Sequence, residues 1–371
     1  MNRCALNGLT TSKARSVDIR RGRSRWTDTF PTGTCTVVLD NRDASFNAFG
    51  SADVGDTVNV RYSDGTNTEN VFTGRIIGHD VRYDLSGDAV VAVRLVDDLA
   101  AAGRWSVPSG FAGTISSQLS GDVMDLIKTA AIAAQTGISM NNDAGAETLA
   151  AFTINVGDRV VDWINRIVRT EQGKWYADRG NTLQFVGRNE APTTTSLTFT
   201  DDTLITGIPY NNIEVITATD VISNTVNITN IGGVTQQGIN NTSIATIGPF
   251  EVSFRELLYT SNARALEMAQ YLADLKGSPS GRVSTVSVRA HTLSNTDADA
   301  LAQLDLGDLV RVVFTPPGST QQDTLVYVES IYHRIGIDTW ETIVGFSEPA
   351  LFPFVLDSDA NGILNTDKLG I

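Results

Sequence analysis

Histidine and cysteine are almost missing from this chain of 371 residues, which holds three of the one and two of the other. Two cysteines, Cys4 and Cys35, are too few for a disulfide framework and lack metal-ligand spacing. Cys35, inside Thr34-Cys35-Thr36-Val37-Val38-Leu39, reads as a packed strand residue. Three histidines leave little material for acid/base or zinc chemistry. No apolar run approaches the roughly 18 residues needed to cross a bilayer, so no membrane insertion is expected. The opening Met1-Asn2-Arg3-Cys4-Ala5-Leu6-Asn7-Gly8 has no apolar core of signal-peptide length; the expectation is a chain made in a cytoplasm and left there unless something else carries it out. Basic residues are scarce beside acidic ones, 28 against 42, for a net charge of −14. That balance disfavours general affinity for DNA, RNA or an anionic membrane. Glycine-rich phosphate loops ending in Lys-Ser or Lys-Thr, a Gly-x-Ser-x-Gly elbow and His-Glu-x-x-His are all absent, so neither an enzyme nor a cofactor is expected.

What is present is a stretch that occurs twice. Gly55-Asp56-Thr57-Val58-Asn59-Val60 and Gly307-Asp308-Leu309-Val310-Arg311-Val312 both enter an alternating strand through a Gly-Asp turn, 252 residues apart. Each passes a polar turn and re-enters a strand through an apolar pair, Val71-Phe72 or Val326-Tyr327. A third strand closes each copy, Asp88 to Ala100 falling without a gap on Asp338 to Ala350, 250 residues later. Gly-Asp before a strand is common, so two unrelated meanders are the plain alternative to duplication.

In chain order, Ala14 to Arg21 alternates like a strand and sits in a basic cluster of Lys13, Arg15, Arg20, Arg21, Arg23 and Arg25. Two readings stand: a patch that docks on an acidic neighbour or touches passing DNA, and a strand edge guarded by solvated charge. Helical spacing appears at Ser120 to Gln135, with Val123, Leu126, Ile127 and Ala130 on one face, and at Asp158 to Gln172, with Val160, Ile164, Ile167 and Val168 inward. The Lys174–Asp178 and Thr182–Val186 runs form a hairpin beside the second helix, with Trp175 and Tyr176 read as packing before ligand platform. Residues 189–202 read as a linker, and Leu204 to Phe254 as short antiparallel strands. Ser261 caps a third helix through Lys276, and a helical turn at Asp297 to Leu304 precedes the second copy. The expected fold class is mainly β with α+β insertions. The divisions are a first antiparallel β-barrel (1–104), an α+β helix/hairpin domain (105–188), a mixed β domain with one helix (189–281), a second β-barrel (282–356) and a tail (357–371).

Candidate chemistry is sparse. The acidic pairs Asp97-Asp98 and Asp201-Asp202 read as turn and helix-start residues before glycosidase carboxylates, and His79 and His333 as packing or surface residues. Asp357-Ser358-Asp359-Ala360-Asn361-Gly362 has the opening spacing of a calcium loop, which makes Asp357, Asp359 and Asn361 weak metal candidates. The twelfth position is Lys368 where a bidentate Glu is needed, and a plain polar turn is the simpler reading. The sequons at Asn227, Asn240 and Asn241 matter only in a secreted chain.

Ser16-Val17-Asp18-Ile19-Arg20-Arg21-Gly22-Arg23, followed by Thr34 to Asp40 and Asn41-Arg42-Asp43-Ala44-Ser45-Phe46, resembles the start of minor tail proteins of long-tailed phages that infect actinobacteria. Phe72-Thr73-Gly74-Arg75-Ile76, Leu306-Gly307-Asp308-Leu309-Val310 and the closing Phe354-Val355-Leu356-Asp357, Gly362-Ile363-Leu364 and Lys368-Leu369-Gly370 are similar to later parts of that family, in the same order. That family is similar in turn to tail-hub proteins with two tail-tube-like barrels per chain. The resemblance implies a structural virion protein that assembles in the host cytoplasm as a homotrimer at the tail tip. It implies contacts with the distal tail protein, the tape measure protein and tip or fibre proteins, and a channel that DNA crosses at ejection. A receptor- or glycan-binding tip protein is the alternative, marked by converging aromatics, and a cell-wall-degrading enzyme a further one, marked by a carboxylate or nucleophile constellation.

Overall fold

In the computed structural model, which describes residues 4–7, 14–43, 54–64, 66–132, 138–217, 222–277 and 281–347, the two Gly-Asp turns are the same turn. Both glycines take a positive φ, 99° at Gly55 and 84° at Gly307, a conformation that disfavours any side chain. Gly55 N–H donates to the Ile76 carbonyl and Ile76 N–H to that of Asp56, at 2.8 and 2.9 Å; Gly307, Val328 and Asp308 repeat both bonds at the same lengths.

The first module holds β1 (Cys4–Asn7), β2 (Ala14–Gly22), β3 (Thr34–Asp40), β4 (Thr57–Ser63), β5 (Thr68–Tyr83) and β6 (Ala89–Val96). Strict alternation buries Cys35, Val37 and Leu39 on β3 and Val91, Val93 and Leu95 on β6. The helix–hairpin unit follows: α1 (Leu99–Ala102), β7 (Gly113–Ile115), β8 (Gln118–Leu119), α2 (Ser120–Ile127), β9 (Ser139–Asn142), β10 (Thr148–Leu149), β11 (Phe152–Ile154), α3 (Val160–Glu171), β12 (Lys174–Ala177) and β13 (Thr182–Val186). Next come β14 (Leu197–Thr200), β15 (Ile208–Pro209), β16 (Asn212–Ile216), β17 (Thr225–Asn230), β18 (Thr235–Ile239), α4 (Asn241–Ile247), β19 (Glu251–Leu257) and α5 (Asn262–Lys276). The last are β20 (Arg282–Arg289), α6 (Asn295–Gln303), β21 (Leu309–Phe314), β22 (Gln322–Gly336) and β23 (Trp340–Ser347).

The strands of the first module lie in the order β1-β4-β5-β6-β3-β2, and those of the second in the order β14-β21-β22-β23-β20-β16. Read along the chain these are the same order, first with first and sixth with sixth. Every neighbouring pair is antiparallel except β14·β21, which is parallel where β1·β4 is not. Each long strand also carries one extra residue at the same place, Ile77 in β5 and Glu329 in β22. Among the described residues neither set of ladders closes on itself. The outer edge of β2 pairs instead with Ser330–Gly336 of β22, so both modules belong to one sheet of thirteen strands. One apolar cluster runs through both, from Val17 and Val37 to Val328 and Val344.

Several sequence expectations need correcting. The second module begins near residue 197 and not at 282, because β14 and β16, read as linker and as a separate mixed β domain, pair into its sheet. Thr198 and Thr200 are β-branched and flank a fully buried Phe199, which is strand chemistry rather than linker chemistry. The closing strands align 251 residues apart, Ala89 with Trp340, because the second hairpin turn is one residue shorter. On the 204–254 stretch, read as antiparallel, β17 pairs β19 in parallel, since α4, capped by the Asn240 side chain, supplies a crossover. On α2 Leu126 is exposed and Met124 is buried in its place, and a π-helical turn at Lys128–Ile132 follows. By contrast α3 buries Val160, Ile164 and Ile167, and α5 starts where Ser261 Oγ accepts the Arg264 N–H at 3.1 Å. Among the described residues no helix is long and apolar enough to cross a membrane.

Candidate functional site at the module junction

Strand β2 is the seam. It ends at Gly22, whose φ of 95° lets the chain pass so close to β22 that a Cβ there would lie 2.1 Å from the Glu329 carbonyl oxygen. Arg21 and Arg23 flank that glycine and reach in different directions. Arg21, buried, donates to the Ala177 carbonyl at 2.8 Å and to Asp305 Oδ1 at 2.6 Å, while Asp305 Oδ2 accepts the Arg179 N–H. Arg23 Nε donates to Glu329 Oε2 at 2.7 Å, and the other Glu329 oxygen accepts from Lys174 Nζ and Ser347 Oγ, each at 2.8 Å. Burial alone would raise the Glu329 carboxyl, but Lys174 and Arg23 hold it down at about 2. Each knot therefore joins the first module, the helix–hairpin unit and the second module.

Two members of the basic cluster, Arg21 and Arg23, are thereby taken up in contacts that neither sequence reading held. Arg15 pairs with Asp88 and Asp40, Arg20 lies by Asp18 and over the Tyr332 ring, and Arg21 and Arg23 are internal ties. Lys13 lies outside the described residues.

Beside the seam a cavity of about 410 Å³ opens between the 23–30 loop, the helix–hairpin unit and α5. Trp26, Phe30, Trp175, Phe254, Tyr271 and Tyr327 line it, aromatics that are scattered in sequence and converge here. Trp175, Phe254 and Tyr327 are themselves buried packing residues, and Trp26 leans on Phe254 with 5.9 Å between ring centroids. Several of the charges around it are engaged: Arg188 and Arg264 both bind Glu147, at 2.8 and 2.9 Å, and Lys276 sits over Trp26. Glu147 thereby ties α5 to the helix–hairpin unit.

The remaining sequence candidates are placed as follows. Asp357, Asp359 and Asn361 lie outside the described residues, and among the described residues no cluster of three or more metal-ligating side chains occurs. Asp97 accepts the Gly33 and Leu99 N–H groups at 2.6 and 3.1 Å, and Asp98 pairs with Arg75 at 2.8 Å. Asp201 accepts from Thr315 N–H and Asp202 from Leu204 N–H, so these carboxylates are occupied in holding turns. His333 is buried, its Nδ1 accepting from Trp340 Nε1, and desolvation lowers its pKa to about 3, with Arg21 adding. Tyr176 packs on Phe30 with ring centroids 5.3 Å apart. Sequence reasoning missed Glu329 and Asp305. The signal for Glu329 was a single carboxylate inside the apolar run Leu325-Val326-Tyr327-Val328 and Ile331, where a charge persists only if paired.

No protein-family model matches this chain, and no curated protein matches it. Solved structures do. The 43 kDa tail protein of prophage MuSo2 from Shewanella oneidensis matches with a TM-score of 0.62 at 14% identity, over 94% of this chain and 97% of that one. The tail protein from Neisseria meningitidis MC58 gives the same TM-score, identity and coverage. The E. coli c3393 protein, a component of the type VI secretion system with similarity to the T4 bacteriophage tail proteins gp27 and gp5, matches at 0.52 and 11% identity, over 94% of this chain and 80% of that one. At these identities the likeness is one of fold: the chain has the mainly β fold of phage tail proteins.

Proposed function

We infer that this chain is a non-enzymatic structural protein of a phage tail tip, a hub that works as a trimer. Three copies set six modules of the same strand order around one axis, each acting as a tail-tube-like barrel. The ring adapts a sixfold tail tube and distal tail protein to threefold tip or fibre components. It also meets the tape measure protein and lines the channel crossed by DNA. The observation that carries this reading is the repeated six-strand order inside one continuous sheet. A doubled module is a direct way to join threefold to sixfold symmetry. The net charge of −14 suits a channel that DNA must leave without sticking. The actinobacterial phage assignment rests on sequence resemblance alone.

Light scattering of the purified protein should give the mass of three chains, and negative-stain images a ring with six peripheral lobes. A chain that stays monomeric at its highest soluble concentration, or that binds DNA tightly at physiological salt, counts against the hub. The aromatic cavity favours a second reading, capture of a small ligand or glycan, because its volume falls in the usual range for such sites. Binding of the labelled protein to whole host cells, lost on Trp26→Ala, would support that reading over the hub alone.

A further inference from the structure

The contact between the two modules of one chain has a counterpart that a single chain leaves unmade. Ladder by ladder, one row of residues crosses the first module as Val17, Val37, Val93 and His79. The equivalent row crosses the second as Ile213, Val286, Val344 and Ile331. This row, with the shared turn and bulge, makes β16 the equivalent of β2 and the Gly78–Tyr83 end of β5 the equivalent of the Ser330–Ile335 end of β22. Within the chain β2 and β22 pair, with Val17 opposite Ile335, Asp18 opposite Arg334 and Ile19 opposite His333. Among the described residues strand β16 pairs only with β20, and residues 78–83 of β5 only with β6. Two edges are therefore left open among the described residues, one on each module.

Carrying the β2·β22 register over to those edges sets Ile213 opposite Tyr83, Glu214 opposite Arg82 and Val215 opposite Val81. Nothing in this strand equivalence required the side chains to agree, yet the central pair does. The acid–base pair Asp18/Arg334 becomes Glu214/Arg82, and the flanking positions are apolar on both strands. Exposure tells the same story. Val17 and Ile19 are 2% and 0% exposed beneath their intrachain partner, whereas Val215 and Tyr83 are 47% and 60% exposed. An open edge with exposed apolar residues is a template for another strand.

We propose that β16 of one copy pairs antiparallel with the Gly78–Tyr83 end of β5 in the next copy, in the register Glu214 opposite Arg82, repeating between chains the β2·β22 contact made within each chain. The contact is heterologous, so copies join head to tail, and it rests on the hub reading for closure into a ring of three. The occupant of both edges is a second copy of this chain.

The test is charge reversal and rescue. Glu214→Arg or Arg82→Glu alone places like charges opposite each other and should weaken assembly at least ~10-fold, leaving mostly single chains at concentrations where the wild type is assembled. The double variant E214R/R82E should restore the wild-type mass. Both residues are exposed, so circular dichroism should show all variants folded. For register, the pair Val215→Cys and Val81→Cys in one chain should oxidise to a ladder that stops at three linked chains on a non-reducing gel. Ile213→Cys with Val81→Cys, two residues out of register, should not. Wild-type trimers that survive every reversal and fail to cross-link overturn this pairing and leave the hub standing on another surface. Rescue without cross-linking at 215/81 overturns the register. A wild type that never assembles overturns both.

Discussion

Gly55-Asp56 and Gly307-Asp308 make the same turn, and only the second is covered. Among the described residues a Cβ on Gly55 would meet nothing within 4 Å, whereas one on Gly307 would lie 2.9 Å from Tyr176 Oη. The bulged residue that follows is exposed Ile77 in the first module and buried Glu329 in the second. The frame is common to both; the helix–hairpin unit clads one copy and leaves the other bare. Evenly exposed modules would be interchangeable around an axis, and these are not. The insertion turns the second module's turn and bulge into sockets, through Tyr176, Arg179 and Lys174, while the first module keeps its turn and bulge at the surface.

The largest test of that difference is at the bulge. Glu329→Gln strands Arg23 and Lys174 without their shared partner, and removing one member of a buried ion pair costs about 3–5 kcal/mol. Ile77→Gln, at the equivalent site in solvent, should stay within about 0.5 kcal/mol. Urea unfolding of the two variants side by side measures both, and equal losses would erase the distinction between clad and bare. Next in size are the turn glycines. Gly55→Ala meets only the backbone penalty of positive φ, about 1–2 kcal/mol. Gly307→Ala adds a clash with Tyr176 and should cost about 1–2 kcal/mol more. Tyr176→Phe should remove most of that excess and none of the Gly55 effect.

How far this was legible in the sequence follows from which interactions are local. The Gly-Asp turns, the alternation of β4 and β6 and the Ser261 cap are set within a few residues, and each was readable. The partner of β2 was not, because strand pairing across more than 300 residues leaves no local trace. Strand β14 was hidden by threonines, which suit a linker and a strand edge equally until Phe199 is seen to be buried. The offset of 250 is a slip of one residue: the shorter second hairpin turn takes the offset from 252 to 251 and no further, and one residue moves every side chain to the other face. The arginine cluster was visible as charge and invisible as wiring: Asp305 and Glu329, which bind Arg21 and Arg23, lie in the far third of the chain.

The smallest effect is the most specific to cladding. Burial raises the Asp308 carboxyl from 3.8 to about 6, with the neighbouring Asp305 charge adding and the Asp305 N–H opposing. The folded chain therefore holds a proton there that the unfolded chain has released. Between those two values the folded state binds more protons, so the stability this group contributes is fullest below pH ~4 and declines as pH climbs through about 6. Asp97, raised to about 7 by its own burial, contributes in the same sense slightly higher. Asp308→Asn should flatten the part of the decline below pH ~6, by about 1 kcal/mol once partial solvent screening is allowed for, and leave the part due to Asp97. Melting temperatures taken from pH 4 to pH 8 would show this as a smaller slope over the lower half of the range. If Asp308→Asn left the slope between pH 4 and pH 6 as it is in the wild type, the pH dependence would belong to Asp97 and other groups and not to the covered turn.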